Sequence, residues 1–318
     1  MPPSLRKSIL KPTDGPGFRA SVNGAKFTSD GAFVMTCSED RNLYLWNPFR
    51  VDHKGYGFLL KTYEGGHGHG VTDVAISKAN DVFLSCGGDR AVFLWDVEAG
   101  QVLRRLNKHS QKVNGVALNP EATIAVTGSD DSTVKVWDLK SKSREPVQEL
   151  PHFKDSVTSV HLVDCTIVAG CVDGFLYSYD IRAGKLHRDD CQDPISSVCI
   201  SRDGKCALSV CLCHPSQGKL YLTDLASGTV LQEYTGHTNT SYKLPATFSY
   251  NDGHVLAGSE DGHIYVWDLV TGARELRTEE SDASKQHKGV VTALDYSPRV
   301  DAFISGGFDG DAFLWCDH

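Results

Sequence analysis

A six-residue run recurs seven times along the chain: LYLWNP (43–48), VFLWDV (92–97), VKVWDL (134–139), LYSYDI (176–181), LYLTDL (220–225), IYVWDL (264–269) and AFLWCD (312–317). Its fourth position holds Trp46, Trp95, Trp137, Tyr179, Thr223, Trp267 and Trp315. All five tryptophans of the 318-residue chain therefore fall in one register, at steps of 49, 42, 42, 44, 44 and 48 residues. A period in this range means one supersecondary unit repeated, and it outweighs length as a guide to architecture.

Three further markers share the register. Six residues before each aromatic position stand Asp40, Asp89, Asp131, Asp173, Gln217, Asp261 and Asp309. Each lies in a short turn between two alternating apolar runs, as in AVTGSDDSTVKVW, a pattern that predicts a β-hairpin. Upstream of a new strand lie Gly66-His67, His109, Gly236-His237 and His287, and Val71, Val113 and Val291 follow four residues after three of them. Ten residues before the aromatic position come Thr36, Ser85, Thr127 and Ser305. Thirty glycines and two methionines suit such a turn-rich β protein.

The combined pattern resembles the WD repeat, whose unit is a four-stranded blade of a β-propeller. Seven registers then imply an all-β, seven-bladed propeller spanning residues 1–318, with blades centred on the seven positions above. The resemblance also implies a buried polar chain in the complete blades. The complete sets are His67/Ser85/Asp89/Trp95, His109/Thr127/Asp131/Trp137 and His287/Ser305/Asp309/Trp315. Buried polar groups must find partners, so each set should pin an outer turn to an inner strand. The competing reading of a histidine, a hydroxyl and an aspartate is a catalytic triad. An enzyme needs one site, however, and these sets repeat beside a tryptophan that demands burial.

The last register leaves its blade with three strands. SLRKSIL (4–10) is similar to the outer strands FLLKTYE (58–64) and VLRRLNK (102–108), so residues 4–10 are expected to supply the missing outer strand and close the ring. Closure removes sheet edges that invite aggregation. The inner strands are expected at SVNGAKF, VTDVAIS, KVNGVAL, SVTSVHL, ISSVCIS, near YKLPATF and at VVTALDY. The longest connections are expected at 47–57 and 271–289, the latter as a mobile polar loop, with the CHPSQG segment (213–218) enlarging the fifth hairpin.

Several stretches resemble the mitogen-activated protein kinase organizer family, WD-repeat scaffolds also found among spliceosome-associated proteins. They are WNPFR (46–50), GGDRAVFLWDVEAGQVLRR (87–105), EPVQEL (145–150), VDGFLYSYDIRAGKL (172–186), SRDGKC (201–206), EYTGHTNTSYKL (233–244) and GSEDGHIYVWDLVTGA (258–273). The GHxNxxYKL run departs from the usual blade opening and is the most specific of these. The resemblance implies a non-enzymatic scaffold without a cofactor, acting as a monomer within larger complexes of kinase-cascade components or splicing factors, in cytoplasm and nucleus.

Composition fits that expectation. A net charge of −8, spread along the chain, argues against a general phosphate-binding surface and so against direct nucleic-acid binding. No apolar run reaches the length of a membrane span, and MPPSLRKSIL lacks the apolar core of a signal peptide. The ten cysteines are accordingly expected as reduced, buried thiols. Cys211, Cys213 and His214 are the best metal candidates, but the spacing lacks paired CxxC ligands and suits core packing better. His69 in GGHGHG (65–70) is a weaker metal or pH-sensing candidate. Neither GxxxxGK[ST] nor GxSxG occurs, so phosphoryl transfer and esterase chemistry lack support. The alternatives are a direct RNA-binding module or a propeller hydrolase.

In the implied geometry the residues before the turn aspartates share one face: Glu39, Gly88, Asp130, Val172, Ser216, Glu260 and Phe308. Glu39, Asp130, Glu260 and Phe308 are the expected partner-binding positions, suited to a basic, partly hydrophobic peptide or protein.

Overall fold

The computed structural model describes residues 6–10, 20–51, 53, 56–213, 218–276 and 287–316. Ser4 and Leu5, His214, Ser216 and Gln217, and residues 277–286 of the long connection lie outside them. Seven antiparallel sheets of four strands each follow one another around the ring. We letter the strands of each blade a to d from the centre outwards. Blade two shows the pattern: a Val71–Ile76, b Val82–Gly87, c Val92–Asp96, d Val102–Leu106. The one exception to sequential order is blade seven. Its strands a to c are Val291–Tyr296, Ala302–Gly307 and Ala312–Cys316, and its outer strand is Arg6–Leu10. Ile9 pairs with Phe313 and Leu10 with Ala312, so the two chain ends meet in one sheet.

The core is divided among the blade interfaces. Each of seven apolar clusters joins two neighbouring blades. Leu10 is fully buried in the cluster that joins blade seven to blade one, beside Val34, Trp46 and Leu314. The five tryptophans are all at most 2% exposed. Two of them stack on an aromatic of strand b: Phe83 on Trp95 at 5.8 Å and Phe303 on Trp315 at 5.6 Å.

A polar belt ties the inner strands together. In six blades the register of strand a shifts after its first residue, a β-bulge. A bulged residue has no ladder partner, which frees its side chain to be aimed elsewhere. In five blades that side chain donates to the carbonyl of the first strand-a residue of the next blade. The bonds are Asn23 to Val71 (2.9 Å), Thr72 to Val113 (2.6 Å), Asn114 to Val157 (3.0 Å), Thr158 to Ile195 (2.9 Å) and Thr292 to Val22 (2.5 Å). The joints on either side of blade six lack this bond among the described residues. There Asn239 donates instead to the carbonyl of Cys211 (3.2 Å). Lys243 crosses the central channel and donates to the carbonyls of Asn114 (2.9 Å) and Thr158 (2.7 Å). The unusual GHxNxxYKL opening thus replaces a bulge bond with a spoke. The channel itself, about 430 Å³, carries Lys26, Asp73, His161, Lys243 and Asp295.

One sequence expectation is corrected here. Residues 47–57 are not simply a connection: strand c of blade one runs to Val51 and strand d begins at Gly57. Asn47 pairs with Phe58 and Val51 with Gly57, so the hairpin continues past the blade rim.

Candidate functional site: buried polar chains and an exposed aromatic pair

The three complete sets come together with nearly identical geometry. In blade two, His67 Nδ1 lies 2.9 Å from Asp89 Oδ2 and Nε2 lies 2.7 Å from Ser85 Oγ, while Trp95 Nε1 donates to Ser85 Oγ at 2.8 Å. In blade three, His109 lies 2.8 Å from Asp131 and 2.7 Å from Thr127, and Trp137 donates to Thr127 at 3.0 Å. In blade seven, His287 lies 3.0 Å from Asp309 Oδ2 and 2.8 Å from Ser305, and Trp315 donates to Ser305 at 2.9 Å. One proton arrangement satisfies each chain. Imidazole Nδ1–H donates to the carboxylate, the hydroxyl donates to Nε2, and the indole donates to the hydroxyl oxygen.

This arrangement differs from a working nucleophile. Ser85, Thr127 and Ser305 are fully buried, and each hydroxyl oxygen already accepts an indole N–H. No substrate carbonyl can reach it. The aspartates fasten the loop before strand a to the b–c turn: Asp131 accepts from Ser110 N (2.9 Å), Thr133 N (3.2 Å) and Thr133 Oγ1 (2.6 Å) besides His109.

Those loops and turns share one face, and the four expected partner-binding residues fall into two classes there. Glu39 is exposed and accepts from Asn23 Nδ2 (2.9 Å), and Asp130 accepts from Asn114 Nδ2 (2.6 Å). Glu260 is committed internally. Its carboxylate accepts from Thr240 N (2.8 Å), Thr240 Oγ1 (2.7 Å), Ser241 N (2.7 Å) and Tyr242 N (3.1 Å). Burial pushes that carboxyl's pKa up, but these donors hold it below the ordinary carboxylate range. Glu260 thereby fixes the turn that carries Tyr242. The Tyr242 ring meets Phe308 edge-on at 5.0 Å, and the two side chains are 43% and 42% exposed. Tyr242 was not legible as a surface residue from the repeat pattern, because it lies in the one blade opening that departs from that pattern.

The sequence matches the WD domain, G-beta repeat family over residues 11–47, 57–96, 100–138, 228–268 and 281–316. Human WD repeat domain-containing protein 83 is 44% identical over 315 residues, covering 99% of this chain and 93% of the human protein. The rat protein of that name is 42% identical, covering 98% and 93%. A Dictyostelium discoideum homolog is 30% identical, covering 93% and 94%. The chain belongs to the WD repeat domain-containing protein 83 family.

In this family member the repeat matches omit residues 139–227, which hold blades four and five apart from the last strand of blade five. Both are nevertheless complete four-stranded sheets. Blade four closes its polar chain with other residues, whereas blade five does not. In blade four Phe153 occupies the histidine position and packs on Tyr177 at 4.6 Å, and the Tyr177 phenol donates to Asp173 at 2.6 Å. Tyr44 donates likewise to Asp40 (2.8 Å) in blade one and Tyr265 to Asp261 (2.7 Å) in blade six. The signal was present in the sequence as Asp-x-x-x-Tyr: blades with a complete set carry Phe93, Lys135 or Phe313 at that position instead. In blade five Ser209 pairs with Tyr221 as Ser85 pairs with Phe93, so the lengthened turn moves the hydroxyl out of the ten-residue offset. Thr223, in place of tryptophan, leaves its buried hydroxyl without a partner among the described residues. Three cysteines of this region, Cys191, Cys211 and Cys213, are buried at the joint between blades four and five, and Cys213 Sγ lies 3.3 Å from Asp193.

Blade six has a histidine that its chain does not use. Ala257 stands where Ser85 stands in blade two, so no hydroxyl is available, and Trp267 Nε1 donates to the Thr235 carbonyl at 3.1 Å instead. His237 is fully buried with neither ring nitrogen bonded among the described residues, and burial lowers its pKa to about 4. An unpaired buried polar group costs about 1–3 kcal/mol. His237→Leu is therefore expected to leave stability unchanged or raise it. His109→Leu, which strands Asp131 and Thr127, should lower stability by about 2–3 kcal/mol. Urea unfolding of the two variants beside the parent checks the contrast, and equal losses would contradict it.

Proposed function

We propose that this propeller is a non-enzymatic scaffold that gathers proteins on the face formed by the b–c turns, with Tyr242 and Phe308 as its apolar anchor. The observation that carries the reading is this exposed aromatic pair on a rigid support. Aromatic residues at the centre of a contact dominate interface energetics, and here Glu260 and the blade joint hold the rings in place before binding. Elsewhere on the same face, Glu39 of blade one and Asp130 of blade three add negative charge. The preferred partner is a segment with an apolar anchor residue flanked by basic ones. WD propellers typically mediate protein–protein contacts, and resemblance to the kinase organizer family supports kinase-cascade components or splicing factors as the proteins assembled. Glu260 acts on that face through Tyr242, so its replacement would test loop order rather than charge.

Affinity purification with mass spectrometry tests the reading, using the full chain and a Tyr242→Ala/Phe308→Ala variant. The variant is expected to keep its melting temperature within a few degrees, since both side chains are exposed, and to lose its main partners. Each anchor removed should weaken binding by about 2 kcal/mol or more, roughly thirtyfold. Retention of every partner by the folded variant would move the interface elsewhere on the molecule.

A further inference from the structure

The chain carries a net charge of −8, yet among the described residues the charged side chains that line one groove on its outer flank are all cationic. It lies between strand d of blade two and the segment that joins strands c and d of blade three, and has a volume of about 700 Å³. Arg104, Arg105, Lys140, Lys142 and Arg144 line it, and no carboxylate does. Leu94, Leu103 and Leu139 supply an apolar floor, with Leu103 54% exposed.

The groove is built rather than incidental. Arg104 donates to the carbonyls of Asp138 (2.9 Å), Ser141 (2.8 Å) and Ser143, which fastens the blade-three segment onto blade two. Three carbonyl partners leave that guanidinium with a fixed position and its charge uncancelled. Arg105 rests over the Phe93 ring at 5.4 Å. The carboxylates bordering that segment are already engaged: Glu145 pairs with Lys108 at 2.5 Å, and Asp138 accepts from the backbone amides of Lys140 (2.8 Å) and Ser141 (3.1 Å). Five like charges held together raise the local potential and favour an anionic occupant.

We infer that this flank is a second docking site, and that its occupant is an acidic peptide segment with an apolar anchor residue. Two features favour peptide over nucleic acid. The floor is aliphatic, matching a leucine-like anchor, and no aromatic ring lines the groove for a base to stack on. The site is separate from the Tyr242–Phe308 face, and either can fail without the other. A scaffold with both could hold a basic and an acidic segment at once.

The test uses the full chain and a fluorescein-labelled acidic peptide containing leucines, measured by fluorescence anisotropy near physiological salt. A second peptide has its leucines replaced by serine, and a labelled oligouridine serves as the nucleic-acid probe. The variant is Arg105→Glu/Lys142→Glu/Arg144→Glu, which spares Arg104 and its contacts to blade three. We expect saturable binding of the leucine peptide, at least about tenfold weaker binding of the serine peptide, and a further loss of about a hundredfold in the charge-reversed protein. Tyr242→Ala/Phe308→Ala should bind the leucine peptide like the parent. Absence of saturable peptide binding, equal affinity of the parent and the charge-reversed protein, or tighter binding of oligouridine that the reversal abolishes would each overturn the inference.

Discussion

Removing the first twelve residues is expected to lower the melting temperature by more than about 10 °C, the largest effect of any short deletion in this chain. The reason begins with Leu10. It is fully buried in the cluster joining blades seven and one, and truncating such a side chain costs about 2–5 kcal/mol. Leu10→Ala alone should therefore lower the melting temperature by roughly 3–8 °C, taking about 1.5 °C per kcal/mol from an unfolding entropy of about 2.1 cal/mol/K per residue. Deletion adds the loss of the ladder to Ala312–Cys316, leaving that strand as an open edge. An exposed edge also templates association with other chains, so the truncated protein should aggregate at lower temperature. Calorimetry and light scattering on both variants read this out. Should the truncated chain fail to fold, Leu10→Ala still decides the matter: an unchanged melt would mean that the outer strand of blade seven is dispensable.

The second large effect is expected at Asp131. Its carboxylate holds His109, two backbone amides and the Thr133 hydroxyl. Asp131→Ala leaves several donors unpaired in a site where the aspartate side chain is only 7% exposed, and should cost about 3 kcal/mol or more. Asp131→Asn keeps an acceptor oxygen and should cost less. The same carboxylates set the response to acid. In Asp89, Asp131 and Asp309 burial pushes the pKa up, but the hydrogen bonds from histidine and from backbone amides outweigh burial and hold each carboxyl below its ordinary 3.8. A carboxyl depressed by folding contributes stability that is fully present above its unfolded pKa and is lost as pH falls through the folded one. His161 and His237 act in a higher window. Burial lowers both from 6.5 to about 4, so the unfolded chain takes up protons first and stability declines as pH falls from 6.5 towards 4. Urea midpoints measured between pH 3 and 8 should therefore fall gently below 6.5 and steeply below 4. Asp131→Asn should flatten the steep limb and His237→Leu the gentle one. A stability that rises on acidification would have the wrong sign for both groups.

The fold was legible in the sequence because a propeller repeats one solution. The tryptophan register, the turn aspartates and the hydroxyl ten residues upstream are each satisfied in several blades, and together they located every sheet. What was not legible follows from interactions that leave the register. The phenols of Tyr44, Tyr177 and Tyr265 replace histidine from a neighbouring position on strand c, so a search for histidine passes over them. The bulge residues of strand a read as ordinary polar positions of an alternating strand, and only the shifted ladder turns them toward the next blade. Glu260 looked like a free charge beside a turn, but its carboxylate is consumed by amides of a loop twenty residues away in sequence. The basic flank groove was only half visible, since Lys140, Lys142 and Arg144 stand together in one segment but meet Arg104 and Arg105 of blade two only in the fold.

Hydrogen exchange of the five indole N–H groups, followed by nuclear magnetic resonance, tests most directly whether the shared polar residues serve to bind the blades together. Trp46, Trp95, Trp137 and Trp315 each donate to a buried hydroxyl, so these four should exchange far more slowly than free indole, through large-scale opening only, while Trp267, bonded to the carbonyl of exposed Thr235, should exchange faster. In Asp131→Ala the Trp137 signal should lose protection first, ahead of the tryptophans of the distant blades. Rapid exchange of Trp95, Trp137 and Trp315 in the native protein would mean that the histidine, hydroxyl and aspartate sets stand open to solvent, and their role as structural ties would have to be abandoned.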